Sequence, residues 1–272
     1  MTRAAPPVSD AKLAIRDLRI VYTSDKRETL AVDGANLSVG AGEFVSLVGP
    51  SGCGKSTILK VVAGLVPASA GEVLVDGRVV RGVPDGVGMV FQNDALLPWK
   101  TVRDNIRLPL VLRGLSAAEQ TAEIARLIAL VQLDGFDGYY PRALSGGMRK
   151  RVALARTLAY DPSFYLMDEP FGPLDALTRI HIGREFLDIW EGMKASVLFV
   201  THDVEEAIAL ADRVIVMTPR PGRIKAEFRI DLPRPRNYED VRFDPRFHEL
   251  QREVWQALTG AENRRDPIGA GT

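Results

Sequence analysis

The stretch Gly49-Pro-Ser-Gly-Cys-Gly-Lys-Ser-Thr57 decides the fold of this chain. It holds the pattern G-x-x-x-x-G-K-[ST], with Gly49, Gly54, Lys55 and Ser56 at the fixed places and Pro50, Ser51, Gly52 and Cys53 between them. Glycines let the backbone curl until its N–H groups converge on phosphate oxygens. A helix opening near Lys55 points the positive end of its dipole at the same spot. The pattern places Lys55 on the β- and γ-phosphates of a nucleotide and the Ser56 hydroxyl on Mg²⁺, with Thr57 closing the loop. Cys53 could be an activated thiol at a helix N-terminus, but a small space-filling residue is the better reading.

The flanks fit that loop. Before it, Glu43–Val48 is a short apolar run of the kind that forms a buried parallel strand. After it, Lys55–Ala63 carries helical apolar spacing at Ile58, Leu59 and Val62. Further along, Phe164-Tyr-Leu-Met-Asp-Glu-Pro170 is an apolar strand that ends in two carboxylates. Beside a phosphate loop, Asp168 can enter the Mg²⁺ shell and Glu169 can hold and polarise an attacking water.

Working outward, the chain alternates apolar and polar residues from Lys12, passes a polar stretch Thr23–Thr29, and reads as strand again over Ala31–Val39. Short strands flank the Asp76-Gly77 turn within Gly71–Val80, and another lies at Gly88–Phe91. From 93 to 160 the pattern is helical, clearest at Ala117–Val131 and punctuated by Pro98, Pro109 and Pro141. Strands return at Ser163–Met167, Ser196–Val200 and Arg213–Met217, with helices at Ala176–Glu191 and Val204–Ala211 between them. Alternating strands and helices imply a doubly wound α/β core. Beyond Thr218 the chain is rich in Pro and Arg, and Pro245–Leu258 reads as a short helix. The expected organisation is a disordered tail at 1–11, an α/β core with a β subdomain at 12–92 and 161–225, a helical insertion at 93–160, and an extension at 226–272. Arg229–Arg236 reads as a solvated segment.

Among 272 residues, 46% are hydrophobic and 26% charged, which suits a soluble globular protein. Thirty-five basic residues balance 35 acidic ones, so no global positive field favours nucleic acid. No apolar run is long enough to span a bilayer, and the N-terminal residues lack the apolar segment of a secretory signal. One cysteine excludes an intrachain disulfide and suits a reducing cytoplasm.

Leu144-Ser-Gly-Gly-Met-Arg-Lys-Arg151, placed shortly before the acidic strand, resembles the LSGGQ signature of the nucleotide-binding subunits of ATP-binding cassette (ABC) transporters. Met148 stands where the family has Gln. Other motifs of that family fall in order over roughly residues 12–225. Gln92 matches the Q-loop glutamine, which the resemblance makes a Mg²⁺ and water contact and a sensor of the transporter. Asp175, in Gly172-Pro-Leu-Asp175, matches the D-loop. His202, in Thr201-His-Asp203, matches the switch histidine at the γ-phosphate. Tyr22 lies at the position of the aromatic ring that stacks on adenine. The resemblance implies a P-loop (RecA-like) α/β core with an antiparallel β subdomain and an inserted helical subdomain.

It also implies a composite ATP site. One chain would supply Lys55, Ser56, Gln92, Asp168, Glu169 and His202, and a second copy would supply Ser145, Gly146 and Gly147 in a head-to-tail dimer. A cassette on its own chain implies separate integral-membrane permease subunits, indirectly a substrate-binding protein, and a peripheral position on the cytoplasmic face of the inner membrane. Leu96, Leu97 and Trp99 are expected to line a groove for the permease. The strings Ala95–Trp99, Leu144–Arg151, Phe171–Arg179 and Pro219–Ile224 resemble the nitrate, sulfonate and taurine importers. Another small-molecule importer, or an ABC ATPase outside transport, is the alternative. Chromosome-maintenance members need a long coiled coil, translation-associated ones two cassettes, and a GTPase an N-K-x-D reader, and none of these is found.

Overall fold

The computed structural model describes residues 11–24, 27–172, 174–193 and 195–260. Apart from Ala11, the expected N-terminal tail lies outside them, as do the last twelve positions, 261–272. Two sheets organise the chain. The antiparallel one has the order β2-β1-β4-β5, from β1 (Ala11–Ser24), β2 (Arg27–Gly40), β4 (Ala70–Val75) and β5 (Arg78–Val79). Within the polar stretch Thr23–Thr29, β1 and β2 pair as far as Ser24 opposite Arg27, and residues 25 and 26 lie outside the described residues.

The second sheet runs β10-β9-β3-β8-β7-β6. Its members are β3 (Phe44–Val48), β6 (Val87–Val90), β7 (Phe164–Asp168), β8 (Ser196–Thr201), β9 (Arg213–Met217) and β10 (Ile224–Arg229). β3, β6, β7, β8 and β9 are parallel, and β10 is antiparallel to β9. Successive side chains of a strand point to opposite faces, so a strand buried on both faces feeds two cores. Val45, Leu47, Phe164, Leu166, Leu198, Val200 and Ile215 join the cluster under the antiparallel sheet, which also takes up α1 (Lys55–Val62). Phe44, Val48, Tyr165, Met167, Val197, Phe199 and Val214 belong to the cluster on the other face. There Phe44, Phe171, Phe186, Trp190 and Phe199 meet ring to ring at 5.2–6.3 Å.

Between β6 and β7 lie three helices, α2 (Val102–Leu112), α3 (Ala117–Leu130) and α4 (Gly146–Tyr160). Each starts on a capping hydroxyl, from Thr101, Ser116 and Ser145, and Ser116 with Glu119 completes a reciprocal capping box. Pro109, expected to punctuate, instead sits buried inside α2. α5 (Ala176–Met193) and α6 (Val204–Leu210) follow β7 and β8.

The Arg-rich segment after β9 corrects the expectation of a solvated tail. Arg234 stacks 4.3 Å over the Trp190 ring and pairs with Asp212 at 2.8 Å and Glu191 at 2.9 Å. Arg236 is 4% exposed and donates to the carbonyls of Ala211 (2.6 Å), Leu232 (3.2 Å) and Ile230 (3.3 Å). Burial, and then the neighbouring Arg234 charge, push its pKa down to about 10. The 225/226 boundary falls inside β10, and α7 (Pro245–Thr259) docks Phe247, Leu250 and Val254 into the larger core. The polar pattern of this segment hid a buried guanidinium whose donors satisfy backbone carbonyls.

Candidate functional site

The phosphate loop leaves β3 at its C-terminal end and enters α1, as open parallel sheets place their ligand sites. Gly54 takes φ 104°, and a Cβ there would lie 2.6 Å from Val32 Cγ2, so only glycine fits between the loop and β2. Lys55 is 6% exposed, and its Nζ donates to the carbonyls of Gly49 (2.8 Å) and Pro50 (3.1 Å). The ammonium thus holds the loop closed on itself. Cys53 is 1% exposed and packs in the core under the antiparallel sheet, which suits a space-filling residue.

A cavity of about 440 Å³ opens above this loop. Ser51, Gly52, Gly54, Lys55, Ser56 and Thr57 form its floor, and Gln92, Glu169 and His202 form the side nearest the parallel sheet. Tyr22, Thr29 and Ala31 close the side toward the antiparallel sheet. The Tyr22 hydroxyl lies 3.3 Å from Thr57 Oγ1, which fixes the ring at the cavity edge.

Asp168 ends β7 and is 2% exposed. The Ser56 hydroxyl donates to Asp168 Oδ1 at 2.8 Å. Burial raises the Asp168 pKa, Glu169 adds to that, and the Ser56 hydrogen bond opposes it. A buried carboxylate facing a hydroxyl is a pair of hard oxygen donors, which fits Mg²⁺. Among the described residues no group of three His, Cys, Asp or Glu side chains is placed to hold a metal ion by itself.

Glu169 takes φ 46°, a left-handed conformation uncommon for a residue with a side chain. It is held there by Glu169 N–H donating to the Val200 carbonyl (2.9 Å) and Gly172 N–H donating to the Glu169 carbonyl (3.2 Å). The twist sets Glu169 Oε2 3.4 Å from His202 Nδ1. Strain of this kind collects where a side chain must be aimed against local preference.

Ser145, Gly146 and Gly147 do not line this cavity. The Ser145 hydroxyl accepts from Met148 N–H at 3.2 Å and caps α4. Met148, which stands where the family has Gln, packs against the larger core. The same helix grips the segment after β6. Lys150 Nζ donates to the Phe91 carbonyl (2.5 Å), Arg149 pairs with Asp94 (2.8 Å), and Arg156 donates to the Ala95 carbonyl (2.8 Å). Gln92 therefore sits in a strap tied to the signature helix. Asp175 is exposed and accepts from Thr178 N–H at 3.0 Å, and hydrogen bonding from the Thr178 side chain, then from its backbone, holds the Asp175 pKa low. Of the three apolar residues after Gln92, Leu96 packs on the core, Leu97 is half-buried and Trp99 is 70% exposed.

Sequence reasoning missed three site features. Thr29 and Ala31 enter the cavity from β2, and Arg220 enters it from the turn after β9. The one sequence signal for Arg220 is the string Pro219–Ile224, whose resemblance to the nitrate, sulfonate and taurine importers does not by itself place it at the site. Arg179 was missed as well. It donates to the Leu174 carbonyl (3.1 Å) and pairs with Asp203 and Glu206 (both 3.4 Å), joining the turn before α5 to the turn that carries His202.

A parallel sheet with a phosphate loop after β3, and a carboxylate pair at the end of β7 on the far side of β8, defines a P-loop ATPase. The chain belongs to the ABC transporter family, whose profile matches residues 32–172. It is 43% identical to the taurine import ATP-binding protein of Burkholderia pseudomallei over 252 residues, 91% of this chain and 97% of that one. It is 42% identical to the nitrate import ATP-binding protein of Synechocystis over 256 residues, 92% of this chain and 96% of that one. Among solved structures, it superposes with TM-score 0.74 and 30% identity on an ATP-binding cassette captured as a dimer after hydrolysis with ADP and Pi. That match covers 81% of this chain and all of the other.

Proposed function

We propose that this ATPase powers an importer for a small anion such as nitrate, a sulfonate or taurine, working through separate permease subunits fed by a substrate-binding protein. The observation that carries the ATPase reading is the convergence of the phosphate loop, Glu169, Gln92, His202 and Tyr22 on one cavity, with Asp168 held against Ser56 of that loop. The importer reading is supported by the two relatives named for taurine and nitrate import, each aligned over nearly its whole length. The expected location is peripheral, on the cytoplasmic face of the membrane, and no helix among the described residues is long and apolar enough to cross it.

Each residue has a distinct role in this reading. Backbone N–H groups of Gly49–Thr57 wrap the β- and γ-phosphates, and Lys55 exchanges its loop carbonyls for phosphate oxygens. The Tyr22 ring stacks on the adenine. Ser56, Asp168 and Gln92 would hold Mg²⁺, which when bound neutralises charge on the phosphates. Glu169 accepts a hydrogen bond from the water that attacks the γ-phosphate, and His202, beside it, contacts the γ-phosphate oxygens. The second copy closes the site with Ser145, Gly146 and Gly147, whose N–H groups stand free at the start of α4, while Asp175 lies at the junction of the two chains. ATP joins the copies and hydrolysis releases them, so the work comes from the difference in dimer affinity between the two nucleotide states. Trp99, with Leu97, offers the permease an apolar foothold next to Gln92.

Uptake in proteoliposomes containing the chain and its permease subunits tests the reading. Labelled taurine or nitrate should accumulate only with ATP and the matching binding protein. Accumulation of neither, alongside ATP-driven uptake of a sugar or a peptide, would refute the cargo class.

A further inference from the structure

The chain leaves β9 at Met217 and returns into β10 through Thr218-Pro-Arg-Pro-Gly-Arg223. This turn is internally braced. Thr218 N–H donates to the Arg223 carbonyl (2.9 Å), while Thr218 Oγ1 accepts from Arg223 N–H (3.0 Å) and donates to the Pro221 carbonyl (3.1 Å). It is also stitched to β2, where Gly222 N–H donates to Ala31 (2.9 Å), Asp33 N–H donates to Gly222 (3.0 Å), and the Arg223 guanidinium pairs with the Asp33 carboxylate. Its inner side lies against the phosphate loop. A Cβ on Gly222 would fall 1.9 Å from the Cys53 carbonyl oxygen, so the approach is backbone on backbone.

From this braced turn Arg220 reaches over the loop. Its Nε and Nη2 both donate to the Gly52 carbonyl, at 3.2 and 3.1 Å, and its side chain lines the nucleotide cavity. A loop that binds an anion must turn its N–H groups inward and therefore its carbonyls outward. Gly52 takes φ 76°, a conformation with little intrinsic preference for either sense of the flanking peptides. A cationic fork on its carbonyl fixes the outward sense.

We propose that Arg220 is a positioning residue of the ATP site, clamping the Gly52 carbonyl outward so that the loop amides are set for phosphate before nucleotide arrives. The proposal rests on the reading of Gly49–Thr57 as the ATP-binding loop. Loss of the clamp leaves the loop to order itself at the moment of binding, which costs affinity rather than chemistry.

The test compares Arg220→Ala and Arg220→Lys with the wild-type full-length chain, using fluorescent-nucleotide titration, steady-state kinetics, and thermal melting without nucleotide. Arg220→Ala should raise both the nucleotide Kd and the ATP KM about tenfold, the loss expected for a charge-assisted hydrogen bond, with a much smaller change in kcat. Arg220→Lys, which keeps a charged donor, should recover most of that loss, and all three proteins should melt together. Wild-type affinity in Arg220→Ala, no recovery in Arg220→Lys, or a fall in melting temperature that tracks the affinity would overturn the proposal. Lys55→Ala run in parallel separates the two readings. If that variant still binds nucleotide as tightly as wild type, the site assignment itself fails, whatever Arg220 does.

Discussion

Glu169 and its neighbours show how single residues are set for their work. The left-handed backbone at Glu169 turns its carboxylate toward His202 and away from Asp168, whose own carboxylate is buried against Ser56. Adjacent acids on one strand end therefore occupy different surroundings, one wet enough to meet a water and one dry. A second buried acid, Glu206, supports the histidine turn. It accepts from Thr201 Oγ1 at 2.7 Å and faces Arg179 at 3.4 Å. Burial raises its pKa, Asp203 adds to this, and Thr201, Arg179 and His202 oppose it. An acid that binds its proton more tightly when folded favours the fold at low pH, and that contribution is lost as pH rises from the unfolded pKa through the folded one. Urea unfolding across the pH range upward from about 4 should show Glu206→Gln gaining stability relative to wild type as pH rises. A constant difference between the two proteins would contradict that assignment.

At the scale of elements, the periods in the sequence carried most of the architecture. The phosphate loop, its flanking strand and helix, and the carboxylates after Met167 were legible because glycine spacing and a two-sided apolar strand have few other uses. The strand set was legible too, since alternate residues of β3, β7, β8 and β9 feed separate cores. β10 was not. Its burial alternates between half-buried and exposed, and its sequence Ile-Lys-Ala-Glu-Phe-Arg offers only a faint alternation at the edge of a polar region. The guanidinium of Arg236 was illegible for a different reason, because its partners are backbone carbonyls, which leave no mark in the sequence. Arg236→Ala strips these carbonyls of their donor and opens a void, so it should cost about 3 kcal/mol in urea unfolding. A change below about 0.5 kcal/mol, the range of an ordinary surface substitution, would show the clasp to be incidental.

At the scale of the whole molecule, the cavity and the signature helix do not meet within one chain. The N-terminus of α4 is not part of the cavity whose loop it is proposed to close, so in the proposed function the site is completed by a second copy. The fold supports this, since its solved likeness with ADP and Pi is a dimer. Blocking hydrolysis should then trap the pair. In sedimentation velocity, Glu169→Gln should dimerise with ATP and remain monomeric with ADP. Adding Ser145→Arg to that variant should abolish the ATP-dependent dimer while leaving nucleotide binding intact. An ATP dimer that survives Ser145→Arg would place the contact elsewhere. The neutral charge balance belongs to this scale as well, because phosphate affinity here depends on oriented N–H groups and a few placed cations rather than a positive surface.

The central claim is that this cavity hydrolyses ATP with Glu169 positioning the water. Steady-state phosphate release by Glu169→Gln, measured beside its ATP affinity, tests it most directly. ATP binding should be unchanged and turnover lower by at least ~10²-fold; wild-type turnover in that variant would show that another group positions the water.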